Sequence, residues 1–183
     1  MFSEQLERCS IKINFPVEIA HKFPWYGIRT RSNYEKTTSA VLASKGYSEY
    51  LPLYRVKRRR PDRVVHAEFP LFPGYVFCRF DSSQCLPILN TPGVVMIVGF
   101  GKEPAPIPDV EIEAIQTILN SQLAAAPWPF LREGQRIRIR HGALEGLEGI
   151  LVKKKTDWRL VVSLTMLQRS VAVEIDRDSI TII

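Results

Sequence analysis

Hydrophobic and polar positions in this chain follow one pattern before about residue 124 and another after it. In the first part, stretches that alternate with period two are interspersed with stripes of helical period. In the second part only the alternating pattern occurs, as in Arg136-Ile137-Arg138-Ile139-Arg140. The change predicts an α+β domain followed by a small all-β barrel.

The first domain is predicted to contain an antiparallel sheet with flanking helices. Strands are expected at residues 25–29, 49–56, 72–80 and 94–98, with 64–65 returning from the second strand as a β-hairpin. A capping box formed by Ser32 and Glu35 predicts the start of a helix, and Gly46 predicts its end. Asp81-Ser82-Ser83 and Asp109 are predicted to cap two later helices.

These patterns predict how the chain is divided. Residues 1–22 have weak periodicity and are expected to form an N-terminal extension. Residues 23–123 form the α+β domain, close to the common domain size of about 100 residues. Residues 124–130 contain two prolines and no clear period, which predicts a linker, and residues 131–183 form the barrel.

Composition narrows the class of protein. The 183 residues carry a net charge of +6 with a pI near 9.4, which favours acidic partners such as nucleic acid. Cys9, Cys78 and Cys85 are odd in number and lack a CxxC pair, so we expect reduced thiols in a cytoplasmic protein, with Cys78 a small core residue. No stretch has the length or apolarity of a signal peptide or a membrane span.

Catalytic signatures are missing from the sequence. There is no P-loop, nucleophile elbow or HExxH motif, and no cluster of histidines and carboxylates that could share a proton. The histidines His21, His66 and His141 are far from one another and from the cysteines. We therefore expect neither enzymatic activity nor a metal or other cofactor.

The segment Phe72-Pro73-Gly74-Tyr75-Val76-Phe77 places aromatic side chains around a Pro-Gly turn that leads into a strand. Val76 and Cys78 would point to one face of the strand, and Tyr75 and Phe77 to the other. The second face is either a docking surface or a second buried face, since sheets covered on both sides are common. We interpret it as a docking surface, and Trp25 as core.

A basic run, Lys57, Arg58, Arg59 and Arg60, is followed by Pro61 and Asp62, which predicts a hairpin with a cationic tip. Such a tip is either a solvated turn or a contact for nucleic-acid phosphate.

In their order and spacing, the motifs resemble those of the NusG family of transcription elongation factors. The motifs are Trp25-Tyr26, the basic hairpin, Phe72-Pro73-Gly74-Tyr75, Pro92-Gly93-Val94, Gly99-Phe100-Gly101 and Pro106-Ile107. After residue 131 the chain resembles a KOW module, an SH3-like barrel, through Gly134, Ile137, Arg138, Ile139, Gly142, Gly149 and Ile150. The resemblance implies an NGN-type first domain and covers nearly all of the chain except its first twenty or so residues.

The resemblance implies a monomeric factor that rides on RNA polymerase and modulates pausing and termination. The first domain would bind the clamp helices of the polymerase through Phe72, Pro73, Tyr75 and Phe77, with a second contact near residues 82–86. The hairpin residues Lys57 to Arg60 would reach upstream DNA or nascent RNA. A membrane partner is not expected.

The KOW module of the family recruits a further partner, such as a small ribosomal subunit protein or the Rho terminator. By motif position, the partner-binding loop here contains His141, Leu144 and Leu147, with leucines where housekeeping members have aromatic residues. This departure and the extension suggest a specialised paralogue. The alternative function is a ribosome- or RNA-binding KOW protein acting in translation.

Overall fold

The structure of the chain is a computed structural model that describes residues 23–59, 64–101, 103–128, 130, 134–154 and 157–183. The predicted N-terminal extension, the tip residue Arg60 and the cysteine Cys9 lie outside the described residues.

The first part of the chain forms three helices and nine strands within the described residues. They are β1 (Trp25–Thr30), α1 (Glu35–Ser44), β2 (Ser48–Tyr50), β3 (Leu53–Arg59), β4 (Val64–Pro70), β5 (Tyr75–Arg79), α2 (Leu86–Leu89), β6 (Val94–Ile97), β7 (Gly99–Phe100), β8 (Glu103–Pro104), β9 (Pro106–Ile107) and α3 (Asp109–Asn120).

The central sheet has the strand order β2-β5-β1-β6, and β9 also pairs with β1. Its pairings are antiparallel. The strands β3 and β4 form a separate hairpin, and β7 and β8 form a smaller one. The predicted second strand is thus two strands, because the chain leaves the central sheet at Leu51-Pro52 and proline cannot donate to a ladder.

One face of the central sheet carries the first hydrophobic core. Tyr26, Ile28, Val76 and Cys78 alternate onto this face and pack with residues of α1 and α2. Cys78 is fully buried, as predicted, and burial together with the charge of Glu49 raises the pKa of its thiol to about 12. The thiol is therefore an inert core group.

All three predicted helix N-caps are wrong. Helix α1 begins at Glu35 with Tyr34 at its N-cap position, and the Glu35 carboxylate accepts a hydrogen bond from the Gly74 amide at 2.8 Å. Asp109 is the first residue of α3, directly after the N-cap residue Pro108, and its negative charge interacts favourably with the positive end of the helix dipole. The Asp81 carboxylate instead accepts from the Ser83 amide at 2.9 Å, before the short helix α2. Gly46 does follow α1 with a φ of +83°, as predicted.

The second part of the chain forms one six-stranded antiparallel sheet. Its strands are β10 (Ala125–Trp128), β11 (Gln135–Ile139), β12 (Glu148–Lys154), β13 (Asp157–Leu164), β14 (Arg169–Ile175) and β15 (Ile180–Ile182), in the order β10-β14-β13-β12-β11-β15. Alternate residues such as Ile137, Ile139 and Leu160 fill its core. The predicted fold class, an α+β domain followed by a small β-barrel, is confirmed.

The predicted linker is a structural element. Residues Ala125–Trp128 form β10, which pairs with β14 over four residue pairs from Ala125–Val173 to Trp128–Ser170. Proline is tolerated in this strand because β10 is at the edge of the sheet and pairs on one side only, so a proline nitrogen can face away from the ladder. The barrel sheet therefore begins at Ala125.

None of the helices described is long and apolar enough to cross a membrane.

Candidate functional site

The second face of the central sheet is lined by aromatic side chains. Strand alternation brings Trp25, Tyr50, Tyr75 and Phe77 to this side, and we call these four residues the aromatic face. In the strand register, Tyr50 is opposite Phe77 and Phe77 is opposite Gly27. The rings of Tyr50 and Phe77 lie 6.3 Å apart, within the range of favourable aromatic pairing.

A tight turn presents one end of this face. The Thr30 amide donates to the Gly74 carbonyl at 2.8 Å, and the Tyr75 amide donates to the Phe72 carbonyl at 3.1 Å. Gly74 has a φ of +82°, which glycine adopts without the steric cost of a Cβ. Glu35 accepts from the amide of the same glycine. This hydrogen bond fixes the turn at Gly74 to the first residue of helix α1.

The four predicted polymerase-binding residues differ in accessibility. Pro73 is exposed at the turn, and Tyr75 is partly buried at the start of β5. Phe72 is only 2% exposed and Phe77 is fully buried, with their rings edge to face at 5.8 Å. In this conformation Pro73 and Tyr75 are the members of the set that a partner can reach. Binding by these residues stays a prediction.

The rim of the aromatic face is held by charged groups. The Arg79 guanidinium lies 4.7 Å from the centre of the Trp25 ring and donates to the Phe23 carbonyl and to Asp109. The side chain of Arg79 is only 9% exposed. Burial also raises the pKa of the Tyr50 hydroxyl. This edge is therefore a fixed structural rim.

The barrel packs directly on the aromatic face. Leu167, in the turn between β13 and β14, is so close to Gly27 that a Cβ on this glycine would lie 3.0 Å from the leucine Cδ2. Because Gly27 is opposite Phe77, Leu167 covers the middle of the face. One continuous hydrophobic core runs from Trp25 and Phe77 to Leu164 and Leu167.

A hydrogen bond between α3 and the barrel supports this packing. The Thr165 amide, in the same turn as Leu167, donates to the Glu111 carboxylate at 3.2 Å. Burial raises the pKa of Glu111, and the hydrogen bonds from Thr165 oppose that shift only partly. Packing of the barrel on α3 therefore removes water from the Glu111 carboxylate, and the hydrogen bonds from Thr165 only partly replace those to water.

A cavity of about 810 Å³ lies between α3 and the outer face of the barrel. Its walls include Val110 and Glu111 from the helix and Arg136, Leu147 and Ile150 from the barrel. The interface between the two domains is thus packed at the β13–β14 turn and open beside it.

The predicted KOW loop is divided between two environments. His141 is exposed, whereas Leu144 is 3% exposed and belongs to the barrel core. Leu147 is partly buried and lines the inter-domain cavity. The structure thus brings Leu147 to α3 and leaves His141 facing solvent.

The predicted basic hairpin is present as β3 paired with β4, with Arg59 opposite Val64. Lys57, Arg58 and Arg59 lie at its distal end, and Arg60 lies outside the described residues. The hairpin forms its own two-stranded sheet, separate from the aromatic face. Nucleic-acid contact by these residues stays a prediction.

Sequence reasoning missed the residues through which the domains dock, Gly27, Glu111, Thr165 and Leu167. None of them belongs to one of the sequence motifs described above, and their roles depend on contacts between segments that are distant in sequence. The only available signal was Gly27 in the middle of a strand, since a glycine there often marks the close approach of another group.

Among the described residues, no group of three or more histidine, cysteine, aspartate or glutamate side chains is placed to hold a metal ion. The site consists of an aromatic sheet face, a turn beside it and a barrel that covers it. This architecture defines a class of two-domain proteins in which an α+β domain precedes a small β-barrel.

Comparisons with known proteins identify the family. The family described as "Transcription termination factor nusG" matches residues 23–116, about half of the chain. This chain belongs to the NusG family of transcription termination and antitermination proteins.

Several relatives named "Transcription termination/antitermination protein NusG" are similar over most of their length. The Escherichia coli K12 protein is 28% identical over 175 residues, covering 86% of this chain and 94% of its own. The Thermus thermophilus protein is 26% identical, covering 83% and 94%. The Helicobacter pylori (26695) protein is 23% identical, covering 82% and 93%.

A solved structure described as "Domain interaction in Thermotoga maritima NusG" has a similar fold. It superposes with a TM-score of 0.53 at 20% identity, covering 88% of this chain and 97% of its own. Its architecture agrees with the NGN-type domain and β-rich second domain described above.

Proposed function

We propose that this chain is a transcription elongation factor that binds RNA polymerase through its first domain and modulates pausing and termination. The observation that carries the proposal is that the family match over residues 23–116 spans the whole aromatic face and its turn. A helical tip of the polymerase clamp pressed against Tyr75 and Pro73 would be held by a few aromatic anchors, as is common at protein interfaces.

A second contact with the polymerase is proposed at α2. Leu86 is 71% exposed and Leu89 is 41% exposed, so this short helix presents apolar side chains to solvent. Val95 on the neighbouring edge strand β6 is 53% exposed. Helix α2 packs through Ile88 on the face of the sheet opposite the aromatic face, so its exposed leucines are suited to a second contact with a large partner.

We call the arrangement in which the barrel packs on the aromatic face the closed arrangement. In this arrangement the barrel would compete with the polymerase for the same face. Leu167 covers Gly27 and the neighbouring Phe77, which lie at the centre of the proposed binding face. Polymerase binding therefore requires the β13–β14 turn to leave this face. The released barrel presents the loop with His141 and Leu147 to a further partner, for which a small ribosomal subunit protein and Rho are the candidates.

The proposal is tested by binding of the purified protein to RNA polymerase. Tyr75 is partly buried and lies at the mouth of the face, so Tyr75→Ala is expected to cost about 2 kcal/mol of binding free energy if it is a hot spot. Phe100→Ala removes a 76% exposed aromatic ring from the β7–β8 hairpin and serves as the matched control. A folded Tyr75→Ala protein that binds polymerase as tightly as wild type would show that the aromatic face is not the polymerase-binding surface.

Co-purification separates the two candidate functions. Recovery of polymerase subunits with the tagged full-length protein supports the elongation factor. Recovery of ribosomes without polymerase supports the alternative of a KOW protein that acts in translation.

A further inference from the structure

The outer face of the barrel carries a row of three arginines, two on strand β11 and one directly after it. In β11, Ile137 and Ile139 point into the core, while Arg136, Arg138 and the following Arg140 are exposed. Alternate residues of a strand are about 7 Å apart, so the three guanidinium groups form a line about 14 Å long. We call Arg136, Arg138 and Arg140 the arginine row.

The row keeps an excess of positive charge after its ion pairs are counted. Glu148 on β12 pairs with Arg136 at 3.4 Å and with Arg138, whose Nε donates to the carboxylate at 2.8 Å. Arg140 donates to the hydroxyl of Thr181. Two guanidinium groups thus share one carboxylate and the third, Arg140, donates to a neutral hydroxyl, which leaves two positive charges in excess.

The side chains are oriented but remain accessible. The strong pairing with Arg138 lowers the pKa of Glu148, so this carboxylate is ionised at neutral pH and holds its arginine partners in place. Even so, the side chains of Arg136 and Arg138 are 68% and 56% exposed. A guanidinium has five N–H donors, and a single carboxylate oxygen engages only two of those of Arg138.

We propose that the arginine row binds the phosphate backbone of single-stranded nucleic acid. Arginine suits this role because its planar fork of donors matches the oxygens of a phosphate. A line of such groups along an exposed strand is the electrostatic track that single strands follow without sequence preference. The site is on the barrel and is independent of both the aromatic face and the β3–β4 hairpin.

The row is accessible in the closed arrangement of the domains. Arg136 lines the open cavity beside α3, while Arg138 lies further along β11 and Arg140 directly follows the strand. The barrel can therefore hold a strand whether or not it covers the first domain. Nascent RNA and a displaced DNA strand share the phosphate chemistry and are the two sources of ligand.

The test measures binding of the full-length protein to fluorescent single-stranded RNA of mixed sequence and to DNA of the same sequence, over a range of salt concentrations. The variant Arg138→Gln/Arg140→Gln removes two charges and leaves Arg136 at the inter-domain cavity. The matched control, Lys153→Gln/Arg169→Gln, removes two charges from exposed positions elsewhere on the barrel.

The arginine variant is expected to lower affinity about tenfold and to reduce the slope of log K against log salt by about 1.4, that is, about 0.7 for each lost phosphate contact. The control is expected to change neither by a comparable amount. Repeating the comparison in Arg58→Gln/Arg59→Gln/Arg60→Gln protein removes the contribution of the three hairpin arginines.

Equal losses for RNA and DNA support a site for phosphate in either strand, and a loss for RNA alone supports a site for RNA. An unchanged affinity, or an equal loss in the control, overturns the proposal. If the arginine variant binds nucleic acid normally but loses binding to a poly-glutamate peptide, the row is a site for an acidic protein instead.

Discussion

Phe77 is the residue in which the structural and proposed binding roles meet. Its ring is fully buried, 5.8 Å from the Phe72 ring and 6.3 Å from the Tyr50 ring. Phe77→Ala is therefore expected to lower the free energy of unfolding by about 3–5 kcal/mol, the usual cost of deleting a buried phenylalanine ring. Urea denaturation followed by circular dichroism measures this loss.

Phe100→Ala is the control for this prediction, because a 76% exposed ring contributes little to the core. Its expected change is within about 0.5 kcal/mol. If Phe77→Ala were as stable as this control, Phe77 would not be a core residue. A large loss has a practical consequence: Tyr75, and not Phe77, is the position at which binding can be probed without unfolding the protein.

The direction of the side chains in β5 was predictable from the sequence, whereas their burial was not. Alternation assigned Tyr75 and Phe77 correctly to the same face, because strand geometry fixes side-chain direction. Alternation left open whether that face is a docking surface or a second buried face; the docking interpretation came mainly from the family resemblance, and Phe77 is in fact fully buried. The ring lies in a core that also contains Leu167, about 90 residues further along the chain, and no local pattern encodes such a long-range contact.

Among the strands of the barrel, β10 was the least predictable from the sequence. Ala125-Ala126-Pro127-Trp128 neither alternates nor contains β-branched residues, so its sequence is typical of a linker. Its strand conformation comes from pairing with β14, which is a tertiary effect. The strands β11, β13 and β14 were predictable because their own alternation or β-branched residues favour a strand.

The role of β10 predicts a difference between two fragments of the barrel. Residues 124–183 and residues 131–183 are both expected to give β-type circular dichroism, since the glycines and β-branched residues disfavour a long helix. The longer fragment is expected to be more stable to urea, because it keeps β10 paired along β14.

A helical spectrum from either fragment would overturn the expectation that the isolated barrel is β. Equal urea midpoints for the two fragments would show that β10 adds nothing to the barrel and is held only in the full-length chain. A variant of the longer fragment with Val173→Pro, which disrupts the pairing of β14, is the control for cooperative unfolding.

Because Glu111 is partly buried where it contacts Thr165, docking of the two domains is expected to depend on pH. Burial in the docked state raises the pKa of Glu111 above its ordinary value of 4.5. Docking is therefore most favourable below pH 4.5, where the side chain is protonated in both states, and weakens as pH rises through the raised pKa. Arg136 and Glu148, which line the same cavity, keep their charges in this range because arginine does not titrate and the pKa of Glu148 is lowered.

Glu111→Gln is expected to strengthen docking at neutral pH and to abolish this pH dependence, since the amide is neutral but keeps an oxygen that can accept from Thr165. The methyl resonances of Leu167, compared with those of fragment 124–183, report the docked fraction. Glu113→Gln changes an exposed carboxylate on the same helix and is expected to behave like wild type. If both variants keep the wild-type pH profile, another group controls docking.

The proposed competition between the barrel and RNA polymerase leads to a prediction about affinity. Leu167 is 6% exposed where it covers Gly27, so Leu167→Asp would place an unpaired carboxylate in an apolar contact and favour the open arrangement. Polymerase affinity is expected to rise by roughly 5–150-fold, the range typical of coupled equilibria of this kind. Gln168→Asp adds the same charge at an exposed position of the same turn. The backbone φ of +51° at residue 168 is one that aspartate tolerates, so the affinity of this variant for polymerase is expected to remain that of wild type.

Loss of the Leu167 docking resonances without any gain in affinity would show that the polymerase does not use the covered face. Adding Tyr75→Ala to Leu167→Asp then distinguishes the two cases, because it reverses the gain only if the uncovered aromatic face is the polymerase-binding surface.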